Sequence, residues 1–297
     1  AMFSFLNRGL DYEPPKERVV MPTGKLLAYA QPHIMPYVVY GICTAVLAKI
    51  INPYQAYIFA FVLTLLTVGI YCAKGEYPEF SLKGLKFGDW LLAFAIGVVG
   101  IVLWILPYHF AWKVMFARIP VFGNENIYLS LTYGFEFAED AFHKAQGALI
   151  LLPSELPKSS FSAQILQIGA AQMKDFLHLS MDAGVLANIL LAIRIAGAAI
   201  MVPFFEELFS RSALTRFCVA EQYKEVPIGY YTKKSFLIAI GFFILSHPWW
   251  FVALIWGGLI FFLYYYKKSI PLCIFAHGVS NLLLGLYVVA TGNYYLW

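Results

Sequence analysis

Two adjacent glutamates, Glu206 and Glu207, stand inside a long apolar run, and two histidines, His247 and His277, stand in later apolar runs. Arg211 follows Glu207 by four residues, and Asn281 follows His277 by four. On a helix that spacing puts two side chains on one face, so Glu207 can pair with Arg211, and His277 and Asn281 point the same way. Glu206 is turned by about 100° from its neighbour and is left to face something else. A carboxylate can take a proton from water with the help of an imidazole. A second imidazole and an amide can donate to the oxyanion that forms when water attacks a carbonyl. Glu206, His247, His277 and Asn281 therefore suffice to hydrolyse a peptide bond, with Glu207 paired to Arg211 beside them. One glutamate and two histidines would equally serve as ligands of a metal ion.

Each residue also has a plainer reading. Arg211 could mark a helix end emerging into headgroups, His247 beside Pro248 could cap a helix, and His277 with Asn281 could hydrogen-bond two helices together. Arg194 reads as a snorkelling side chain near the opposite interface. Against the plain readings stands the cost of an ionisable group deep in a membrane helix, about 2.5–3.5 kcal/mol. The depths also agree. At 1.5 Å per residue His277 and Asn281 lie roughly 12 and 18 Å from Ser269, and His247 lies about 18 Å from Ser235. A single water-containing cavity is the simplest joint explanation.

The elements that must hold these residues follow from composition. The chain has 297 residues, of which 61% are hydrophobic and only 13% charged; an ordinary soluble domain carries about 25% charged residues. With a mean hydropathy of +0.69 this excludes a soluble enzyme, a disordered chain and a nucleic-acid binder. The apolar residues come in runs of membrane-spanning length. Ile34–Ile51, Tyr54–Ala73, Trp90–Trp112, Asp182–Arg211, a hairpin across Phe236–Tyr266 broken at His247-Pro248, and Ser269–Ala290 predict an all-α polytopic membrane protein with about seven spans. Each hairpin arm has about 15 residues, roughly 22 Å of helix. That is short of a hydrocarbon core of roughly 30 Å, so the helices begin nearer Tyr231 or the hairpin reaches only part way. Residues 113–182 predict a long outer segment, with amphipathic helices at Phe135–Leu151 and Ser162–Leu179 lying on the membrane surface. The divisions expected are a polar cytoplasmic segment 1–33, three spans 34–112, the outer segment 113–182 and a catalytic helix bundle 183–297.

The loop cations set the orientation. Arg8, Lys16, Arg18 and Lys25, then Lys74, Lys83 and Lys86, then Arg216, Lys224, Lys233 and Lys234, then Lys267 and Lys268 fall at alternate ends of successive spans. This predicts a cytoplasmic amino end, an outer carboxyl end and residence in the cell's inner (plasma) membrane. The first 30 residues have no apolar core and do not read as a secretory signal. Ala1 ahead of Met2 reads as a remnant of tag removal. Cys43, Cys72, Cys218 and Cys273 have neither redox nor metal spacing, and no disulfide is expected.

The order Glu206-Glu207-x-x-x-Arg211, then Phe243-x-x-x-His247, then His277-x-x-x-Asn281 resembles the CAAX-protease and bacteriocin-processing (CPBP/ABI) family of intramembrane endopeptidases. The resemblance covers roughly Ile189 to Trp297. The stretch Ala276-His277-Gly278-Val279-Ser280-Asn281 with Gly285, and Thr291-Gly292-Asn293 after it, looks like the CAAX-protease-related subgroup found with exosortase systems. The resemblance implies a glutamate-dependent membrane endopeptidase acting on a membrane-associated protein or peptide. In it Glu206 activates water with His247, His277 and Asn281 stabilise the tetrahedral intermediate, Glu207 supports the site, and Arg211 is structural. It implies no cofactor, although a metal-dependent version is the alternative, and an exosortase-type export system is an implied partner. Ser212 departs from the family, in which glycine is common at that place, and bears on helix packing. The competing readings are a non-catalytic membrane scaffold or chaperone of the same fold, and a transporter; a transporter predicts repeated halves, which the sequence lacks.

Overall fold

Four apolar runs become long helices because nothing in their interiors interrupts them, and the polar residues beside them decide where they start. The structure is a computed structural model, and it describes residues 4–15, 20–51, 53–106, 183–247 and 250–291. Its helices are α1 (Thr23–Ala45), α2 (Pro53–Ala73), α3 (Phe87–Ile105), α4 (Gly184–Phe217), α5 (Lys233–Leu245), α6 (Trp250–Lys267) and α7 (Ile270–Thr291). At the start of α3 the Asp89 carboxylate accepts from the Lys86 backbone N–H at 2.8 Å. At the start of α5 the Thr232 hydroxyl accepts from the Ser235 N–H at 3.0 Å, and the Ser235 hydroxyl accepts from the Thr232 N–H at 3.2 Å. This reciprocal cap pins the beginning of α5 at Lys233. The first hairpin arm is therefore 13 residues, about 20 Å, and reaches only part way across a bilayer.

Five helical segments are long and apolar enough to cross a membrane: Gln55–Ala73, Phe87–Ile105, Gly184–Phe217, Trp250–Lys267 and Ile270–Thr291. The expected count of about seven is not reached by this measure, because α5 is too short and α1 differs from its prediction. The apolar window suggests Ile34–Ile51, whereas the helix begins at Thr23 and ends at Ala45. Its middle carries Gln31, Pro32, His33 and Pro36, and of these Pro32, His33 and Pro36 are buried against protein. Hydropathy does not register a helix whose polar side chains face inward. The third predicted span likewise shifts to Phe87–Ile105, and its predicted end at Trp112 lies outside the described residues. So does the predicted outer segment with its amphipathic helices.

Within the bundle α3 packs on α6 and α7, α1 on α2 and α4, α5 on α6, and α7 on α4. Glycines permit the closest approaches. A Cβ on Gly97 would come within 2.6 Å of the Ala276 carbonyl oxygen, and one on Gly278 within 2.6 Å of the Ala199 carbonyl oxygen. Ser280 secures the α3–α7 seam: its hydroxyl donates to the Gly97 carbonyl at 2.8 Å and accepts from Trp256 Nε1 at 3.0 Å. Backbone cannot yield to a methyl group at such range. Gly278→Ala is therefore expected to cost about 1–3 kcal/mol of stability, read as an earlier thermal transition in detergent. An unchanged transition would show that α4 and α7 part without resistance.

One face of the bundle collects the basic residues, and polar contacts knit it together. Lys267 pairs with Asp89 at 2.7 Å, and Lys224 pairs with Glu76 at 2.9 Å. Deeper in, the Glu79 carboxylate accepts from His33 Nε2 at 2.6 Å, from the Ser212 hydroxyl, and from Arg216 Nη2 at 3.5 Å. The Tyr223 hydroxyl donates to His33 Nδ1 at 2.9 Å. Ser212 thus ties the α2–α3 loop to α4. Burial works to raise the Glu79 carboxyl, but hydrogen bonds from His33 and Ser212 and the positive charges beside it outweigh burial and hold it down to about 2. A depressed carboxylate stabilises the fold above its unfolded value near 4.3, and that contribution disappears as pH falls through the folded value. Acid melting of the wild type between about pH 4 and 2 should accordingly flatten in Glu79→Gln; parallel curves for the two proteins would contradict the assignment.

Candidate active site

The site is built where α4 departs from regular helix. Glu206 and Glu207 lie in the α-helical stretch Val202–Glu207, between π-helical stretches at Gly197–Met201 and Leu208–Leu214. Such widened turns are frequent at functional sites, because the extra residue frees a backbone carbonyl and re-aims the side chains around it. Here Asn281 Nδ2 donates to the Ala198 carbonyl at 2.8 Å, so a side chain of α7 satisfies a carbonyl of the first π stretch.

Glu207 is fully buried. Its Oε1 accepts from Arg211 Nη1 at 2.8 Å and from His277 Nδ1 at 2.8 Å. Arg211 is fully buried too, and does not emerge at a membrane surface. Its guanidinium stands 4.7 Å from the Phe261 ring centroid, 5.0 Å from that of Phe243 and 6.0 Å from that of Trp256. Its Nε and Nη2 have no hydrogen-bond partner, so the ring faces take the place of acceptors.

Glu206 faces the other way. Its side chain is 17% exposed, and Oε2 stands 3.9 Å from His277 Nε2. That oxygen has no hydrogen-bond partner in the protein. Tyr37 and Tyr40 of α1 lie within electrostatic reach of the Glu206 carboxylate. His277 is thus held between two carboxylates, and the Trp256 ring packs edge-on at 4.5 Å. Because Nδ1–H is donated to Glu207, Nε2 is the nitrogen presented to Glu206.

His247 sits just beyond the last turn of α5. Its Nδ1 donates to the Phe243 carbonyl at 2.7 Å, with the Ser246 hydroxyl 3.1 Å away, and its ring lies 4.3 Å from that of Phe243. Tied back in this way, it too keeps Nε2 for other partners. Glu206, His277 and Arg211 all act electrostatically on it.

Of the residues singled out by sequence, Glu206, Glu207, His277 and Arg211 form one continuous chain of contacts, and His247 lies within the field of that chain. Asn281 holds α7 against α4 through Ala198, and its second amide N–H remains for another acceptor. Arg194 lies apart from these residues, its guanidinium 6.0 Å from the Tyr57 ring centroid. Sequence reading missed Tyr37 and Tyr40, which lie within electrostatic reach of Glu206, and Trp256. In a chain with 20 tyrosines and 7 tryptophans a particular ring carries no signal of its own. The i, i+3 spacing of Tyr37 and Tyr40 on one helix face is the only mark that could have found them.

One nitrogen of each histidine is bonded to a protein acceptor, which leaves Nε2 of each open to water or to a metal ion. Among the described residues no three of His, Cys, Asp or Glu converge on a point that could hold a metal ion.

A chain of buried carboxylates and imidazoles on three helices suits a membrane hydrolase, and comparison with known families agrees. Residues 188–283 match the Rce1-like family model, described as type II CAAX prenyl endopeptidase Rce1-like. The matched stretch holds Glu206, Glu207, Arg211, His247, His277 and Asn281. The match supports the CAAX-protease and bacteriocin-processing family, and with the apolar helices it supports a multi-pass membrane protease. No curated protein and no solved structure gave a match.

Proposed function

We propose that the protein is a glutamate-dependent intramembrane endopeptidase that cuts a membrane-associated protein or peptide with activated water. The observation that carries this reading is the pair formed by Glu206 Oε2 and His277 Nε2, 3.9 Å apart. Polar atoms at that separation are too far apart to bond directly and can share one water. In the reaction Glu206 takes a proton from water as its oxygen attacks the scissile carbonyl carbon. Glu206 returns that proton to the leaving nitrogen as the C–N bond breaks. Glu207 and Arg211 fix the ring of His277, so its Nε2 keeps its aim through the cycle. His247 Nε2 assists Glu206 with the water. The donors offered to the oxyanion are the second amide N–H of Asn281 and His277 Nε2 when that nitrogen is protonated.

The basic face is the cytoplasmic one by the positive-inside bias. The amino end then lies in the cytoplasm and the protein in the inner membrane. α1 and the short α5 complete a bundle of about seven membrane helices, divided as the sequence suggests at residues 112 and 182, with the first boundary moved from 33 to the start of α1 at Thr23. An exosortase-type export context belongs to this reading only through the likeness of the stretch from Ala276 to Gly285. A scaffold of the same fold has no use for an aligned Glu206. The test is a comparison of protein termini in membranes carrying wild type or Glu206→Gln protein. An uncut precursor should accumulate in the variant; identical termini in both would refute the protease reading.

A further inference from the structure

An apolar groove of about 580 Å³ opens between α3, α4, α7 and the α2–α3 loop, lined among others by Leu82, Trp90, Phe204, Pro271, Ile274 and Leu282. It runs along α7 from Pro271 at the basic face to Leu282, about 16 Å at helical rise. That is the depth of one leaflet, half of a hydrocarbon core of roughly 30 Å. An almost wholly apolar lining as deep as one leaflet suits a single extended hydrocarbon chain. The mouth of the groove decides the chemistry of the head. The acids of the neighbouring loop are all engaged: Glu76 with Lys224, Glu79 with His33 and Arg216, and Asp89 with Lys267. Lys83, next to Leu82, and Lys86, one helical turn before Trp90, stay exposed.

We propose that this groove holds one acyl chain of an anionic phospholipid drawn from the leaflet at the basic face, with its headgroup on Lys83 and Lys86. The seat adjoins the elements that aim the site, since Gly278 and Ala199 both line it. The proposal uses nothing of the catalytic reading and stands or falls without it.

The test reconstitutes the full chain into phosphatidylcholine vesicles doped with phosphatidylglycerol that carries a photoactivatable group on its acyl chain. A parallel sample carries the same modified chain on phosphatidylcholine. After irradiation, labelled peptides are mapped. Labelling should concentrate on residues 271–282 and 199–204 and favour phosphatidylglycerol on the order of tenfold, as two lysines at a membrane surface imply. The double variant Lys83→Glu/Lys86→Glu should remove the preference. Ile274→Trp should remove the labelling, with Leu282→Trp as a second filler should the first fail to fold. Equal labelling by the two lipids, or labelling undiminished in a folded filler variant, would overturn the proposal. So would displacement of the probe by a prenylated peptide but not by excess phosphatidylglycerol, which would assign the groove to a substrate's tail.

Discussion

Glu206→Gln should abolish cleavage while leaving the fold intact. A positioned general base contributes roughly 10²–10⁴ in rate, and here the same group also returns the proton to the leaving nitrogen, so the loss should lie at the upper end of that range. The amide keeps the size of the carboxylate and accepts hydrogen bonds, but it cannot take a proton from water near neutral pH. Removing one of two adjacent negative charges gives no reason for destabilisation, because Glu206 Oε2 has no protein partner to lose. Turnover of the purified variant on a precursor found in the membrane comparison, read beside its melting temperature, separates the cases. Activity within threefold of wild type would mean that another group activates the water. Loss of activity together with loss of fold would mean that Glu206 is structural.

Arg211→Leu should produce the largest loss of stability of any single change in the bundle. Breaking a buried ion pair from one side costs about 3–5 kcal/mol, because the remaining charge is left uncompensated. Glu207 would keep only the His277 N–H, and three aromatic rings would face an aliphatic side chain in place of a cation. The double variant Glu207→Gln/Arg211→Leu should regain much of that loss, since the stranded charge is then gone, and the cycle should be strongly non-additive. Thermal unfolding in detergent of wild type, both single variants and the double variant measures it. Additive effects, or an Arg211→Leu protein as stable as wild type, would mean that the pair contributes no more than an exposed one. The recovered fold should remain a poor enzyme, because His277 would have lost the carboxylate that orients it.

How much of this was readable in advance depended on whether a residue's role is local or distant. The i, i+4 pairing of Glu207 with Arg211 is local to one helix turn and follows from spacing. So does the outward turn of Glu206. The bond from His277 to Glu207 joins residues 70 positions apart, and no spacing rule chooses which of two adjacent glutamates receives it. α1 starts eleven residues before the apolar run at Ile34, because the turns ahead of that run bury polar groups such as His33 against Glu79 and Tyr223 instead of presenting apolar side chains to lipid. The Glu79–His33–Ser212 network was invisible for the same reason: its members come from three separate segments, and each alone reads as an ordinary loop or interface residue. The short α5 is legible as a problem of length: it begins at Lys233, ahead of the apolar run and close to Tyr231, yet its 13 residues stay short of a full span, whereas the second arm, Trp250–Lys267, is long enough to cross.

In this mechanism Glu206 acts on water and does not itself attack the substrate. The decisive experiment is a single turnover of purified protein in ¹⁸O-labelled water, followed by mass analysis of both the product and the Glu206 peptide. Direct attack by water leaves one ¹⁸O atom in the new carboxylate of the product and none in Glu206. Label appearing in the Glu206 side chain, the mark of an acyl-enzyme anhydride opened by water, would contradict it.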